Sequence, residues 1–277
     1  MEWFEALILG IIQGATEYLP VSSSGHLTIF QELLGVNIPN EQTLQFDVIV
    51  HFATVLSTIT ILYPMFKRLA KGFFSFRTDS PDFTYVCKIL VSCIPVAIVG
   101  VFFKDHVEAL FGSGLLVVGI CLMVTAALLC FAHYSSYNFK TKKLRDADAG
   151  HPISWLDAII IGTAQAIAVL PGLSRSGTTI ATGILLGDRR SQVAHFSFIM
   201  VVIPIVGQTL LDLIKIIGSG NASTEAGLGW GAIIIGFLSA YIIGCIACKW
   251  MINLVQKGKL VWFALYCVAV GLLCILW

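Results

Sequence analysis

Charge is what this sequence has least of. Asp, Glu, Lys and Arg make up 12% of its 277 residues, against about 25% in an ordinary soluble domain, while 57% are hydrophobic and the mean hydropathy is +0.88. So little charge excludes a soluble globular domain and points to a polytopic membrane protein. The net charge is +1, with no basic tail and no interleaving of basic and aromatic residues, so nothing here suits nucleic acid. A basic stretch ahead of the first apolar run is also missing. The chain opens Met-Glu-Trp-Phe-Glu, and that run is expected to be retained rather than cleaved as a signal peptide. Cysteines in polar loops are lacking too: all eight (87, 93, 121, 130, 245, 248, 267 and 274) fall in apolar segments. Cys245 and Cys248 have a metal-like spacing, but no second pair or nearby His completes a zinc set. They read as small apolar side chains, and disulfides are not expected.

What the sequence does have is apolar runs of two lengths. Runs long enough for a hydrocarbon layer of about 30 Å are expected at 44–64, 84–103, 114–134, 193–217, 228–252 and 260–276. Two other places hold shorter runs in pairs. Residues 2–16 stop at Glu17 and Pro20, and the run resumes over 24–34; residues 154–169 stop before Pro171 and resume over 176–187. Half-length helices flanking a polar break predict re-entrant hairpins, because irregular backbone survives at membrane depth only against protein or a wet cavity. Each break carries a Gln, then a Pro, then Ser-x-Ser-Gly. Ile8, Gly10 and Gln13 return as Ile160, Gly162 and Gln165, and Ser22, Ser24 and Gly25 as Ser174, Ser176 and Gly177, all at an offset of 152 residues. The expected fold is all-α: a polytopic membrane protein with six spanning helices plus two re-entrant helical hairpins in an inverted-topology repeat. It forms a single integral-membrane domain over 1–277, with 1–135 as the first repeat, 152–277 as the second, and the polar stretch 135–151 as the seam.

Charge sets the expected orientation. With both hairpins re-entrant, the loops at 65–82, 135–151, 188–190 and 253–259 share one side. Fourteen of the 17 Lys and Arg lie in or beside them; Lys104 and Lys215 fall near the opposite face, and Arg175 in the second break. The positive-inside rule makes the crowded side cytoplasmic. Both termini are then outside, and the hairpins enter from opposite faces with their tips meeting inside the membrane.

Few residues in these breaks can do chemistry. Glu17 falls at membrane depth, where a bare carboxylate must be paired, protonated or metal-bound. His26 heads the returning helix, and Ser22, Ser23 and Ser24 can cap that helix or offer hydroxyls. In the second break Arg175 stands between Ser174 and Ser176 and is followed by Gly177, Thr178 and Thr179. A guanidinium fork, hydroxyls and N–H groups at a helix start make an anion cradle suited to phosphate. Arg175 can also lock its hairpin to Glu17, and the two uses do not compete. A cradle facing a Glu and His hairpin reads as phosphoryl-transfer hydrolysis. Glu17 would hold a divalent cation, Mg2+ or Ca2+, and His26 would attack phosphorus or activate the attacker, with Ser23 donating to a phosphate oxygen. The alternative is a flippase or other transporter of an anionic substrate, since broken helices in inverted repeats also build secondary transporters. Asp47 and His51 stand i, i+4 on one face of the first full span.

The stretch Gln13-x-x-x-Glu17 with Pro20-Val-Ser-Ser-Ser-Gly-His26, together with Pro171-Gly-x-Ser-Arg-Ser-Gly-x-Thr179, resembles the undecaprenyl-diphosphate phosphatase family, also called the bacitracin-resistance protein family. The resemblance covers nearly the whole chain. It implies an integral-membrane enzyme of the cell inner (plasma) membrane, with termini and active-site opening on the outer, periplasmic side. Such an enzyme removes the terminal phosphate of a polyprenyl diphosphate and recycles the lipid carrier of cell-wall synthesis. Residue by residue, the acidic motif falls on Gln13 and Glu17, the serine on Ser23, the histidine on His26 and the arginine on Arg175. Gln13, Ser22, Ser24, Ser174, Ser176, Gly177, Thr178 and Thr179 are the expected substrate contacts. Two departures stand out: many members carry Glu where this chain has Gln13, and His195 replaces an acidic residue before Phe-Ser-Phe. The implied partners are a polyprenyl diphosphate lipid and membrane lipids, with a homodimer as a possible assembly.

Overall fold

The computed structural model describes residues 1–36, 40–103, 106, 114–138, 141, 143–218 and 229–277, without the side chains of 40, 41, 44, 138, 143 and 212–218. Among the described residues the chain forms eleven helices and one two-residue ladder. The first half holds α1 (Trp3–Thr16), α2 (Ser23–Leu33), α3 (Asn40–Ile61), α4 (Tyr63–Phe74), α5 (Pro81–Phe102) and α6 (Leu115–Ser135). After the antiparallel ladder of β1 (Tyr137–Asn138) and β2 (Lys143–Leu144) come α7 (Trp155–Ile167), α8 (Arg175–Leu186), α9 (Arg190–Gly218), α10 (Trp230–Gln256) and α11 (Val261–Leu276).

The short helices begin and end where polar residues dictate. A capping box of Glu2 and Glu5 opens α1, and one of Ser154 and Asp157 opens α7. Ser22 caps α2 by accepting from the Gly25 N–H at 3.2 Å, and Ser174 caps α8 by accepting from the Gly177 N–H at 3.0 Å. Gly187, with φ of 92°, ends α8 in the left-handed conformation that suits glycine.

Among the described residues, four helices are long and apolar enough to cross a membrane: α5, α6, α9 over Arg190–Leu211, and α10. A fifth is reached if α3 and α4 count as one span, bent by 82° at Leu62. The sixth expected run is α11, whose 16 residues extend only about 24 Å. The polar loop expected at 65–82 is therefore largely helix. Its charges follow the helical period: Leu69 of α4 is buried, and Lys67, Arg68 and Lys71 project from the other side. Of the residues used for orientation, Lys104, Lys140 and Lys142 and the side chains of Lys143 and Lys215 lie outside the described residues.

The long helices are apolar on their outer faces as well as inside. On α6, Leu116, Ile120, Val124 and Phe131 are exposed, while Val118, Leu122, Ala126 and Leu129 are buried. An apolar outer ridge of this kind faces lipid rather than water. The protein is a multi-pass membrane protein.

The halves pack crosswise. Helix α1 lies along α10, and α7 lies along α5. Both approaches need glycine. A Cβ at Gly10 would overlap the Gly236 carbonyl and Ser239, and a Cβ at Gly162, its counterpart by the 152-residue offset, would overlap the Ser92 carbonyl. Helices α6 and α11 meet through a second such pair. A Cβ on Gly119 would sit 2.7 Å from the Gly271 carbonyl, and one on Gly271 would sit 3.0 Å from the Gly119 carbonyl.

Candidate active site

Crosswise packing brings the two breaks into contact. Gly25 approaches Gly172 so closely that a Cβ would lie 3.1 Å from its Cα, and Gly177 approaches Pro20 by the same measure. The Ser176 hydroxyl donates to the Leu19 carbonyl at 3.1 Å. The first break is fixed from the side by Tyr18, whose buried hydroxyl bonds the Thr54 carbonyl at 2.6 Å and the Thr58 hydroxyl at 2.9 Å on α3. With the Ser57 hydroxyl at 2.5 Å as a third polar partner, Tyr18 is a rigid post, and it sets the direction of its neighbour Glu17.

Glu17 is the point of convergence. Its Oε2 accepts from the Ser23 hydroxyl at 2.7 Å and from Gln13 Nε2 at 2.9 Å, and His51 Nε2 stands 3.6 Å away. Its Oε1 faces Arg175 Nη1 at 3.9 Å. Glu17, Ser23 and Gln13 come from the first break and the end of α1, His51 from α3, and Arg175 from the second break. A small cavity beside them is lined by Glu17, Tyr18, Thr54, Thr58, Gln165, Arg175, Ser176, Thr179 and Ser197, with Phe198, Val201 and Ile205 on its apolar side. Thr179 donates to the Arg175 carbonyl at 2.8 Å and shares a hydrogen bond of 2.6 Å with Ser197.

Other expected site residues have different surroundings. His26 is buried, with Nδ1 2.8 Å from the Ser22 carbonyl and Nε2 2.7 Å from the Tyr266 hydroxyl, against whose ring it stacks. The carbonyl can only accept, so Nδ1 donates and the Tyr266 O–H donates to Nε2. Ser22 itself takes φ of 70°, rare for a residue with a Cβ. Ser24 lies 3.4 Å from the Ser22 hydroxyl, and Ser174 lies 3.4 Å from that of Ser176. The Gly177 N–H is taken by the Ser174 cap. Thr178 is buried, with its hydroxyl unbonded, and is not among the residues lining the cavity. Of the expected cradle, Arg175, Ser176 and Thr179 face the cavity.

Sequence reasoning left His51, Tyr18, Ser197 and Tyr266 out of the site. His51 carried a signal: an ionisable residue inside a span, i+4 from Asp47, is a functional candidate by default. Its Nδ1 donates to the Asp47 carbonyl at 2.7 Å, which leaves Nε2 toward Glu17.

Several buried polar atoms next to Glu17 have no hydrogen-bond partner: Gln13 Oε1 and both amide atoms of Gln165. With the Glu17 carboxylate the two amide oxygens, Gln13 Oε1 and Gln165 Oε1, form a set of hard oxygen ligands, which suits Mg2+ or Ca2+ when diphosphate oxygens complete the shell. The residues present thus fit such a cation.

Comparison with known proteins gives one answer. The sequence model of the family described as Bacitracin resistance protein BacA matches residues 6–273. A protein of Bacteroides fragilis named undecaprenyl-diphosphatase is 54% identical over 276 residues, covering 99% of this chain and 98% of the relative. One of the same name from Bacteroides thetaiotaomicron is 52% identical, covering 98% and 97%. Another from Oceanobacillus iheyensis is 35% identical, covering 96% and 93%.

Proposed function

The chain belongs to the bacitracin resistance protein BacA family, and from that premise we propose the following reading of its site. The protein is an enzyme, an undecaprenyl-diphosphatase. It hydrolyses the phosphoric anhydride of undecaprenyl diphosphate and returns undecaprenyl phosphate to use as the lipid carrier of cell-wall synthesis. The observation that carries the reading is the convergence of Ser23 and Arg175 on opposite oxygens of the Glu17 carboxylate.

The geometry favours Ser23 over His26 as the attacking group. The Ser23 hydroxyl already donates to a carboxylate, whereas His26 is held between a carbonyl and a tyrosine hydroxyl. A serine alcohol needs such a base. Ser23 Oγ forms a bond to the terminal phosphorus while its proton passes to Glu17. The bridging P–O bond breaks, and undecaprenyl phosphate leaves with that proton, which returns Glu17 to the carboxylate. Water then attacks the phosphoserine phosphorus and gives a proton to Glu17 or His51 Nε2. The Ser23 Oγ–P bond breaks, Ser23 Oγ takes that proton back and inorganic phosphate leaves. Arg175 neutralises charge on the phosphoryl oxygens, and Ser176 and Thr179 position them. Glu17, with Gln13 and Gln165 beside it, would hold Mg2+ or Ca2+, which supplies further neutralisation of the diphosphate.

Six spans with two re-entrant hairpins, the inner membrane as location and a site opening on the outer side complete the proposal; the crosswise packing of matched helices supports it. The same packing favours a second reading, a flippase for the polyprenyl phosphate. Phosphate release from undecaprenyl diphosphate by the purified chain in detergent separates them. Release that chelator abolishes is expected; lipid translocation in vesicles without any release would leave only the transporter.

A further inference from the structure

Where the open ends of α7 and α8 come together, a second group of chemistry-bearing side chains stands outside the Glu17 cavity. Asp157 lies in the first turn of α7, where its Oδ2 accepts from the Ser154 N–H at 2.7 Å. Asp188 follows Gly187 at the end of α8. His151 runs beside it as an isolated parallel bridge, its N–H donating to the Gly187 carbonyl at 3.2 Å and its carbonyl accepting from the Arg189 N–H at 3.1 Å. His151 Nδ1 lies 3.2 Å from Asp188 Oδ1 and 3.7 Å from Asp157 Oδ2, and one ligand atom from each residue falls within 4.8 Å of the others.

The independent sign of a ligand is Asp188. Its side chain is 0% exposed, and neither carboxylate oxygen accepts a hydrogen bond. A buried carboxylate without donors is costly. The imidazole is also oriented. Nε2 donates to the Leu186 carbonyl at 3.1 Å, and metal-bound histidines are held by such a bond from the other ring nitrogen. Nδ1 lies 3.3 Å from the Pro152 carbonyl, which can only accept, so Nδ1 carries a proton that a cation has to displace before the lone pair can turn to the carboxylates. The nearby Lys88 ammonium is bonded to the Ile153 carbonyl at 2.7 Å and is not a ligand of the group.

We propose that His151 Nδ1, Asp157 Oδ2 and Asp188 Oδ1 bind one transition-metal dication, Zn2+ or Mn2+, which clips the open ends of the Arg175 hairpin together. One imidazole and two carboxylates suit such ions better than Mg2+, and the half-exposed His151 leaves a route of entry. Zn2+ is the probe, bound to the full chain in detergent with excess Mg2+ occupying harder oxygen sites. Wild type and Glu17→Gln are expected to keep one Zn2+ per chain through dialysis, and His151→Gln and Asp188→Asn to bind it at least about tenfold more weakly. Zn2+ is expected to raise Tm in the first two proteins only. Equal binding, or equal absence of binding, in wild type and His151→Gln overturns the proposal and leaves a proton between imidazole and carboxylate. The exposed His151 can be replaced without opening the core, so that variant decides the matter if Asp188→Asn does not fold.

Discussion

The two breaks are built alike and used differently. In each, a serine caps the returning helix through the N–H three residues on, a glycine follows, and a glutamine precedes by nine residues. Yet the first carries Glu17 where the second carries Val169, and Ser23 occupies the position that Arg175 holds in the second. Backbone differs as well: Ser22 takes φ of 70°, while Ser174 takes an ordinary −68°. The first break presents acid, hydroxyl and strain; the second presents a cation on a relaxed helix start. Shared capping fixes where the breaks lie, and the unshared residues decide what each one does.

The largest effect is expected at Glu17, which has no twin to take over. Glu17→Gln should reduce phosphate release to background, unrestored by additional divalent cation; a variant that remains active in chelator would show the carboxylate to be structural. Ser23 and His26 come next. Ser23→Ala is expected to lose at least about a hundredfold in kcat, the lower range for removing an acid–base or nucleophilic group, whereas His26→Ala keeps measurable turnover and still forms a phosphoserine. Rapid-quench labelling reads this directly, and a phosphohistidine in wild type would reverse the assignment. In the second break, Arg175→Lys keeps the charge and removes the planar fork. It should cost about tenfold in kcat/KM, or ~1.4 kcal/mol; an unchanged value would reduce Arg175 to charge balance.

The smallest effect tests the backbones. Ser22→Gly loses a cap worth a few tenths of a kcal/mol over glycine but relieves a positive φ worth about 1 kcal/mol. Ser174→Gly has no strain to relieve and adds about 0.5–1 kcal/mol of backbone entropy. Thermal unfolding in detergent should show the first variant unchanged or stabilised and the second destabilised. Equal shifts would mean that the strain at Ser22 is absorbed elsewhere.

Much of this was legible in one dimension. The ends of α1, α2, α7 and α8 fall within about two residues of expectation, because Glu17, Pro20, Ser22, Pro171 and Ser174 are local signals that need no partner. Helix α4 is less legible, because Lys67, Arg68 and Lys71 stand out as a charge cluster while the period that buries Leu69 rests on one residue. The site divides in the same way. Glu17, Ser23 and Arg175 announce themselves as polar groups in apolar surroundings. His51 lies on α3 of the same half and Tyr266 on α11 of the other, and only the packing of whole helices carries them to Glu17 and His26. For His26 the residue type suggested an attacker. Its two hydrogen bonds, one to a backbone carbonyl and one 240 residues away, are invisible to spacing.

Ser23 and Arg175 occupy the same place in two matching segments, and they meet at one carboxylate. Two separate copies of a single short chain, paired about a two-fold axis, would bring the same side chain to that place twice. Two arginines would repel, and two serines would leave the phosphate without a cation. Joining the segments into one polypeptide frees each copy of the position to change alone. An acid, a nucleophile and a cation can then share one point in space, which no symmetric pair of these segments could supply.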